Sequence, residues 1–204
     1  MSRWKRISLL IIFTLIFGII AFFHESRLGK WIDNEVYEFI YSSESFISIS
    51  IFLGFTKVGE VWAMVTLSLL LVAYLMLKRL NIEALFFAIA MSLSSTLNPL
   101  LKNIFDRERP TLLRLIDISG FSFPSGHAMG ATAFFGSSIY IVNRVLKGNS
   151  KAFMIGLCAL FIIMISSSRV YLGVHYPTDI IAGIIGGAFC VVLSTLILRH
   201  KLQI

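Results

Sequence analysis

This chain is short of charge, of cysteine and of strand-like patterning, and each shortage closes off a class of protein. Only 14% of its 204 residues are charged, against 57% hydrophobic, a balance too apolar for a soluble domain. It has two cysteines. Cys158 and Cys190 both fall inside apolar runs, with neither disulfide nor metal-ligand spacing, so they read as small buried hydrophobes. Alternation of polar and apolar residues is missing, which leaves helices to satisfy the backbone in lipid. No repeat or low-complexity tract is visible. An Asn-x-Ser/Thr acceptor is absent too, which favours a bacterial source.

What the chain has instead is long apolar runs, at 7–23, 61–77, 84–101, 128–146, 152–168 and 180–198. Each is close to the ~20 residues needed to cross a hydrocarbon core. The first follows Arg3, Lys5 and Arg6 as a signal peptide would. Its unbroken apolar length exceeds the ~7–15 residues of a signal h-region, and no small-x-small cleavage pattern follows Phe23, so it reads as a retained anchor. The expectation is an all-α membrane protein: six transmembrane helices in one bundle, a single domain over 1–204. Gly183 and Gly187, with Gly186 beside them, form a small-xxx-small pair that predicts close packing of the sixth span. The 18 phenylalanines read as lipid-facing and core filler.

Charge placement orients the bundle. With the N-terminus inside, the cytoplasmic segments hold Arg3, Lys5, Arg6, Lys78, Arg79, Arg144, Lys147, Lys151, Arg199 and Lys201 beside one acid, Glu83. The positive-inside rule then places both termini in the cytoplasm and the connections at 24–60, 102–127 and 169–179 outside, at the plasma membrane. The net charge of +7 is absorbed by topology, so it gives no argument for nucleic acid. Within 24–60, Trp31, Ile32, Val36, Phe39 and Ile40 recur at helical spacing against Asp33, Glu35 and Glu38, which predicts a helix in the outer interface. The apolar stretch Phe46 to Thr56 is too short to span and reads as a partly buried helix leading into the second span.

Three short blocks at the outer ends of these spans carry the chemistry. The first is Lys102 with Arg109-Pro110, charges that need a reason at a membrane surface. Arg107 and Arg114 nearby suit ordinary snorkelling into headgroups. The second, Pro124-Ser125-Gly126-His127, runs straight into a span, so unpaired N–H groups and the positive helix end make an anion cradle. Gly126 admits close approach. Ser125 suits both a helix N-cap and an anion contact. His127 beside it is placed to protonate a departing oxygen. The third is Ser168-Arg169, then His175-Tyr176-Pro177-Thr178-Asp179. With Pro177 in the first helical turn, a carboxylate four residues on can hold one ring nitrogen of His175 and leave the other free to attack. His24 and His200 have no partner pattern and read as interface residues.

At these residues the chain resembles the type-2 phosphatidic acid phosphatase superfamily, which includes bacterial phosphatidylglycerophosphatase B and undecaprenyl diphosphatase enzymes and, more distantly, vanadium haloperoxidases. The signature's Lys and Arg-Pro separated by six residues match Lys102 and Arg109-Pro110. Its Pro-Ser-Gly-His matches 124–127, and its Ser-Arg, His and Asp match Ser168, Arg169, His175 and Asp179. The motif core covers about 99–183. The resemblance implies a phosphohydrolase that needs no metal or other cofactor. His175 would form a phosphohistidine, His127 would act as acid and then base, and Asp179 would orient His175. Lys102, Arg109, Arg169 and the Ser125-Gly126 turn would hold the phosphoryl oxygens. Asp106 and Glu108 lie near the motifs, but the chain lacks the clustered spare carboxylates that a Mg²⁺ site uses. The expected substrate is a membrane lipid phosphate, phosphatidylglycerophosphate first, undecaprenyl diphosphate or phosphatidate as alternatives. A non-catalytic phospholipid binder or transporter is the reading from another class.

Overall fold

The computed structural model describes residues 2–41, 45–111 and 114–199. Among them there are eight helices and no strand: α1 (Arg3–Phe23), α2 (Arg27–Tyr41), α3 (Phe46–Val58), α4 (Val61–Leu77), α5 (Asn81–Phe105), α6 (Gly126–Val145), α7 (Gly148–Tyr171) and α8 (Pro177–Ile197). All six apolar runs are helical. His200 and Lys201 lie outside the described residues.

Four of these helices, α1, α5, α7 and α8, are long and apolar enough to cross a membrane, and α3 with α4 makes a fifth candidate bent by 55° at its break. Their outward faces are bare hydrocarbon: Phe22 is 81% exposed, Leu69 66% and Leu77 83%. So much contiguous apolar surface belongs in lipid. The protein is therefore a multi-pass membrane protein.

α6 is built differently, and its position explains why. It packs against α4, α5, α7 and α8 and buries Ala128, Met129, Ala131, Thr132, Ala133, Phe134, Ser137 and Ile141. A helix wrapped by protein on most sides gains from small residues that let neighbours approach, not from branched aliphatics facing lipid. Hence its sequence is less apolar than that of the other runs.

The α6–α8 contact is the tightest in the bundle. A Cβ placed on Gly183 would lie 2.7 Å from the Ser125 carbonyl oxygen, and one on Gly187 would lie 2.6 Å from that of Met129. Both are below any real contact, so the small-xxx-small spacing serves close backbone approach, as its pattern predicted. Short connections at 78–80 and 146–147 make α4–α5 and α6–α7 antiparallel neighbours. The starts of α4, α6 and α8 thus meet the ends of α1, α5 and α7 at one end of the bundle.

α2 and α3 lie against that same end. α2 turns Trp31, Ile32 and Phe39 outward and buries Asp33 and Tyr37 on its other face, where it meets α7 and α8. α3 packs along α7 and leads into α4, as the sequence suggested. Gly187→Leu should drive a side chain into the α6 backbone, costing about 3 kcal/mol or more and lowering the midpoint of thermal unfolding in detergent by roughly 6–12 °C. Gly156→Ala, where a Cβ would meet nothing within 4 Å, should leave the midpoint unchanged or raise it.

Candidate functional site

The three sequence blocks meet at the end of the bundle where α2 and α3 dock. Lys102, Arg109, Gly126, His127, Arg169 and His175 all line one cavity of about 580 Å³. Ser125 and Asp179 stand just behind them, fully buried.

Each cation is held by a neighbouring element. Lys102, in the last turn of α5, donates to the carbonyls of Phe121 and Ser122. Arg109 donates from Nε to the Gly120 carbonyl at 2.8 Å and from Nη1 to that of Val174 at 2.9 Å. Arg169, in the last turn of α7, donates to the Thr56 hydroxyl at 2.5 Å, which ties α3 to the site. Its Nε is buried with no partner among the described residues, and so is His127 Nε2. Buried polar atoms left unpaired cost about 1–3 kcal/mol each. An oxyanion in the cavity would satisfy the guanidinium N–H, and a hydroxyl or water beside it can donate to the imidazole nitrogen.

The Pro124–His127 turn starts α6 as a helix cap. Ser125 Oγ accepts from the Ala128 N–H at 3.4 Å, and the Ser125 N–H donates to the Asp179 carbonyl at 3.0 Å. The capping half of its two readings is thus occupied, while Gly126, not Ser125, faces the cavity. Asn98 Oδ1 would be 3.0 Å from a Cβ at Gly126, so any side chain there would press on Asn98 and fill the cradle. Gly59 plays a similar part for His127: a Cβ at Gly59 would lie 2.7 Å from the His127 ring.

His175 sits in the loop before α8 with its two ring nitrogens in opposite surroundings. Nδ1 lies 3.3 Å from Asp179 Oδ2 and 3.2 Å from Ser122 Oγ, and Nε2 lies 3.1 Å from Arg109 Nη1. A guanidinium can only donate, so Nε2 accepts and the proton resides on Nδ1. That tautomer leaves a lone pair directed at the cations. Burial pushes the imidazole down from its ordinary 6.5 to about 3, overcoming the upward pull of Asp179.

Behind His175 lies a charged assembly that the sequence did not reveal. Asp179 Oδ1 accepts from Arg107 Nη1 at 2.6 Å. Oδ2 accepts from Ser122 Oγ at 2.5 Å and from the Tyr176 N–H at 2.9 Å, besides His175. Arg107 Nη2 donates to Asp33 Oδ2 at 2.7 Å, and its guanidinium lies 4.1 Å over the Tyr176 ring. Asp33 also accepts from Thr178, backbone N–H at 3.0 Å and hydroxyl at 2.8 Å. The snorkelling expected of Arg107 is therefore wrong: it is buried between two carboxylates, whereas Arg114 stays exposed. His24 is corrected too. It is buried, its ring stacked on Phe123 at 4.7 Å, because the end of α1 tucks beneath the 121–124 turn. Among the described residues no group of three or more His, Cys, Asp or Glu is placed to ligate a metal.

Fold and site together describe a helical membrane protein that gathers cations and imidazoles around a cavity at one end. The chain belongs to the PAP2 superfamily, which residues 83–202 match. It is 30% identical over 132 residues to phosphatidylglycerophosphatase B of Bacillus subtilis, covering 64% of this chain and 65% of that one. It is 28% identical over 142 residues to an undecaprenyl-diphosphatase of Sulfolobus acidocaldarius, covering 68% and 65%. The chain thus spans just under two thirds of the length of each of these relatives. A crystal structure described as the first transmembrane PAP2-type phosphatidylglycerolphosphate phosphatase, from Bacillus subtilis, has the same fold, with a TM-score of 0.87 at 24% identity over 96% of both chains. Aquifex aeolicus LpxE aligns with a TM-score of 0.66 at 22% identity, over 78% of this chain and 92% of that one.

The His175 geometry has a measurable consequence. Its folded value lies below that of the unfolded ring, so between pH 6.5 and about 3 the unfolded chain binds the extra proton and acid costs stability. Nitrogen-15 spectra of labelled histidine, with His175→Gln for assignment, should show a neutral Nδ1–H ring from pH 7 down to pH 5. Protonation centred near pH 6.5 would contradict the burial argument.

Proposed function

We propose that this protein is a membrane lipid phosphate phosphohydrolase working through a phosphohistidine, with phosphatidylglycerophosphate as its substrate. The observation that carries the reading is the single cavity: its upper wall is cationic and its lower part runs down between α4 and α5, past Met64, Val65, Leu69 and Met91. A phosphate and an apolar tail fit it together.

His175 Nε2 attacks phosphorus in line. The Nε2–P bond forms as the bond to the lipid oxygen breaks, and His127 gives that oxygen its proton. His127 then takes a proton from water, which displaces His175 and releases phosphate. Asp179 holds the Nδ1 proton throughout and balances the charge of the phosphohistidine. Lys102, Arg109, Arg169 and the N–H groups of the Gly126 turn stabilise the phosphoryl oxygens, the main demand of this reaction. Those fixed charges act in place of a metal. On this reading α1, α4, α5, α6, α7 and α8 each cross the bilayer, with both termini cytoplasmic and the site on the outer face of the plasma membrane.

The hydroxyls that line the cavity below the cations support the glycerolipid over the prenyl diphosphate. Ser94 and Ser95 of α5 and Ser68 of α4 line it, and at 1.5 Å per residue Ser94 sits ~12 Å below Lys102. With its terminal phosphate at His175, phosphatidylglycerophosphate puts its ester oxygens ~11–12 Å down, ten bonds at ~1.1–1.2 Å each. A prenyl diphosphate puts bare hydrocarbon against the same hydroxyls. Phosphatidate would put its esters only ~5 Å down.

Purified protein should release phosphate from phosphatidylglycerophosphate in EDTA, faster than from undecaprenyl diphosphate at equal surface concentration. Loss on chelation with recovery in Mg²⁺ would contradict the metal-free chemistry. Turnover of undecaprenyl diphosphate alone would contradict the substrate. His175→Ala should abolish turnover. His127→Ala should cost about 10²–10⁴-fold on the lipid and much less on p-nitrophenyl phosphate, whose leaving group needs no proton.

A further inference from the structure

Asp179 is crowded for a group whose only task would be to touch His175. Four donors converge on it: Arg107, Ser122, the Tyr176 N–H and His175. A carboxylate offers about four lone-pair positions, so its acceptor capacity is filled. Only one of these donors carries a permanent charge, and that charge is shared. Arg107 spans Asp179 and Asp33, and both carboxylates are fully buried.

The geometry has two effects. Arg107 occupies Oδ1, so the carboxylate cannot rotate, and Oδ2 stays turned toward Nδ1 of His175. Arg107 itself has little freedom: Asp33 holds Nη2, the Thr178 hydroxyl accepts from Nη1 at 2.7 Å, and Tyr176 covers one face of the guanidinium. Asp33 comes from α2, outside the three sequence blocks, and caps the start of α8 through Thr178. A buried cation beside an imidazole–carboxylate pair also lowers the proton affinity of that pair.

We infer that Arg107 and Asp33 are positioning residues: Arg107, held by Asp33, fixes the Asp179 carboxylate and through it the Nδ1–H tautomer of His175. The charged and titratable groups facing this pair are Arg107 and Asp33 behind it, Tyr176 beside it, and Lys102, Arg109, Arg169 and His127 around the cavity. The inference rests on the phosphatase reading for its kinetic consequence, not for its structural one.

The test uses Arg107→Gln, Arg107→Lys and Asp33→Asn in the full-length protein in detergent, with two readouts. For turnover, Arg107→Gln should lower kcat about 10–100-fold with KM changed less than threefold, since the substrate never touches Arg107. The acid limb of kcat/KM should move up by about one pH unit, the direction expected when a cation leaves the pair. Arg107→Lys should recover at least a third of the lost kcat. Asp33→Asn should lower kcat and loosen the tautomer to a smaller extent, but move the acid limb down, because it removes an anion and leaves the charge of Arg107 unshared. For the tautomer, nitrogen-15 histidine spectra should show His175 passing from one Nδ1–H form to a mixture in Arg107→Gln and returning in Arg107→Lys. Wild-type kcat and an unchanged tautomer in Arg107→Gln would overturn the inference. So would a loss of activity with tautomer and acid limb unmoved, the pattern of a merely structural residue. If Arg107→Gln does not fold, the isosteric Asp33→Asn decides: lowered kcat with a mixed His175 tautomer supports the inference, and wild-type kcat with an unchanged tautomer overturns it. Should the wild-type protein turn over no lipid phosphate, the function proposed above fails, and the spectra still decide the positioning role.

Discussion

The close approach of α6 and α8 is the constraint on which the rest of the site depends. Two glycines on α8 bring its backbone against the first turns of α6, and a backbone hydrogen bond from Ser125 to Asp179 joins the two helix starts. That contact sets the spacing between the turn that carries His127 and the loop that carries His175. Two positive helix ends so near each other repel unless anions or acceptors lie between them. The chain supplies Asp33 and Asp179 at the α8 start and leaves the α6 start open to the cavity. One helix end is neutralised from within and the other faces outward.

The cations are arranged by the same economy of contacts. Each is anchored to neutral acceptors: backbone carbonyls for Lys102 and Arg109, a threonine hydroxyl for Arg169. None of the three forms an ion pair with a carboxylate among the described residues. Their charge therefore remains available to the cavity. Arg107 is the opposite case, its charge consumed by two buried acids, although it lies only two residues before Arg109. Neighbours in sequence on an irregular segment point in different directions and meet different electrostatics, and this is what separates their functions.

How far the sequence could be read follows from the same distinction. Helices were legible because an apolar run of spanning length has few other outcomes, and the glycine spacing announced a helix contact without naming the partner. The three blocks were legible because each holds residue types that are costly at a membrane unless used. Asp33, Arg107 and Ser122 were not. Their partners lie 53 to 145 residues away in the chain, and no spacing rule reaches that far. Arg107 looked like a headgroup contact because nothing local marked it as buried. One signal was available for Asp33: it lies in an amphipathic segment whose apolar stripe faces outward, so its polar face had to turn toward protein.

The composition of α6 bears on how the molecule is made. A segment carrying histidine, several glycines, serines and a threonine, with arginine near its end, partitions poorly from water into hydrocarbon by itself. On the six-crossing reading it enters the bilayer only as later-synthesised α7 and α8 arrive to shield it. Insertion at the ribosome must then hold this piece in a protected state until the C-terminal hairpin emerges, and a chain stalled before α8 would present the half-built pocket to the cell's membrane quality-control proteases.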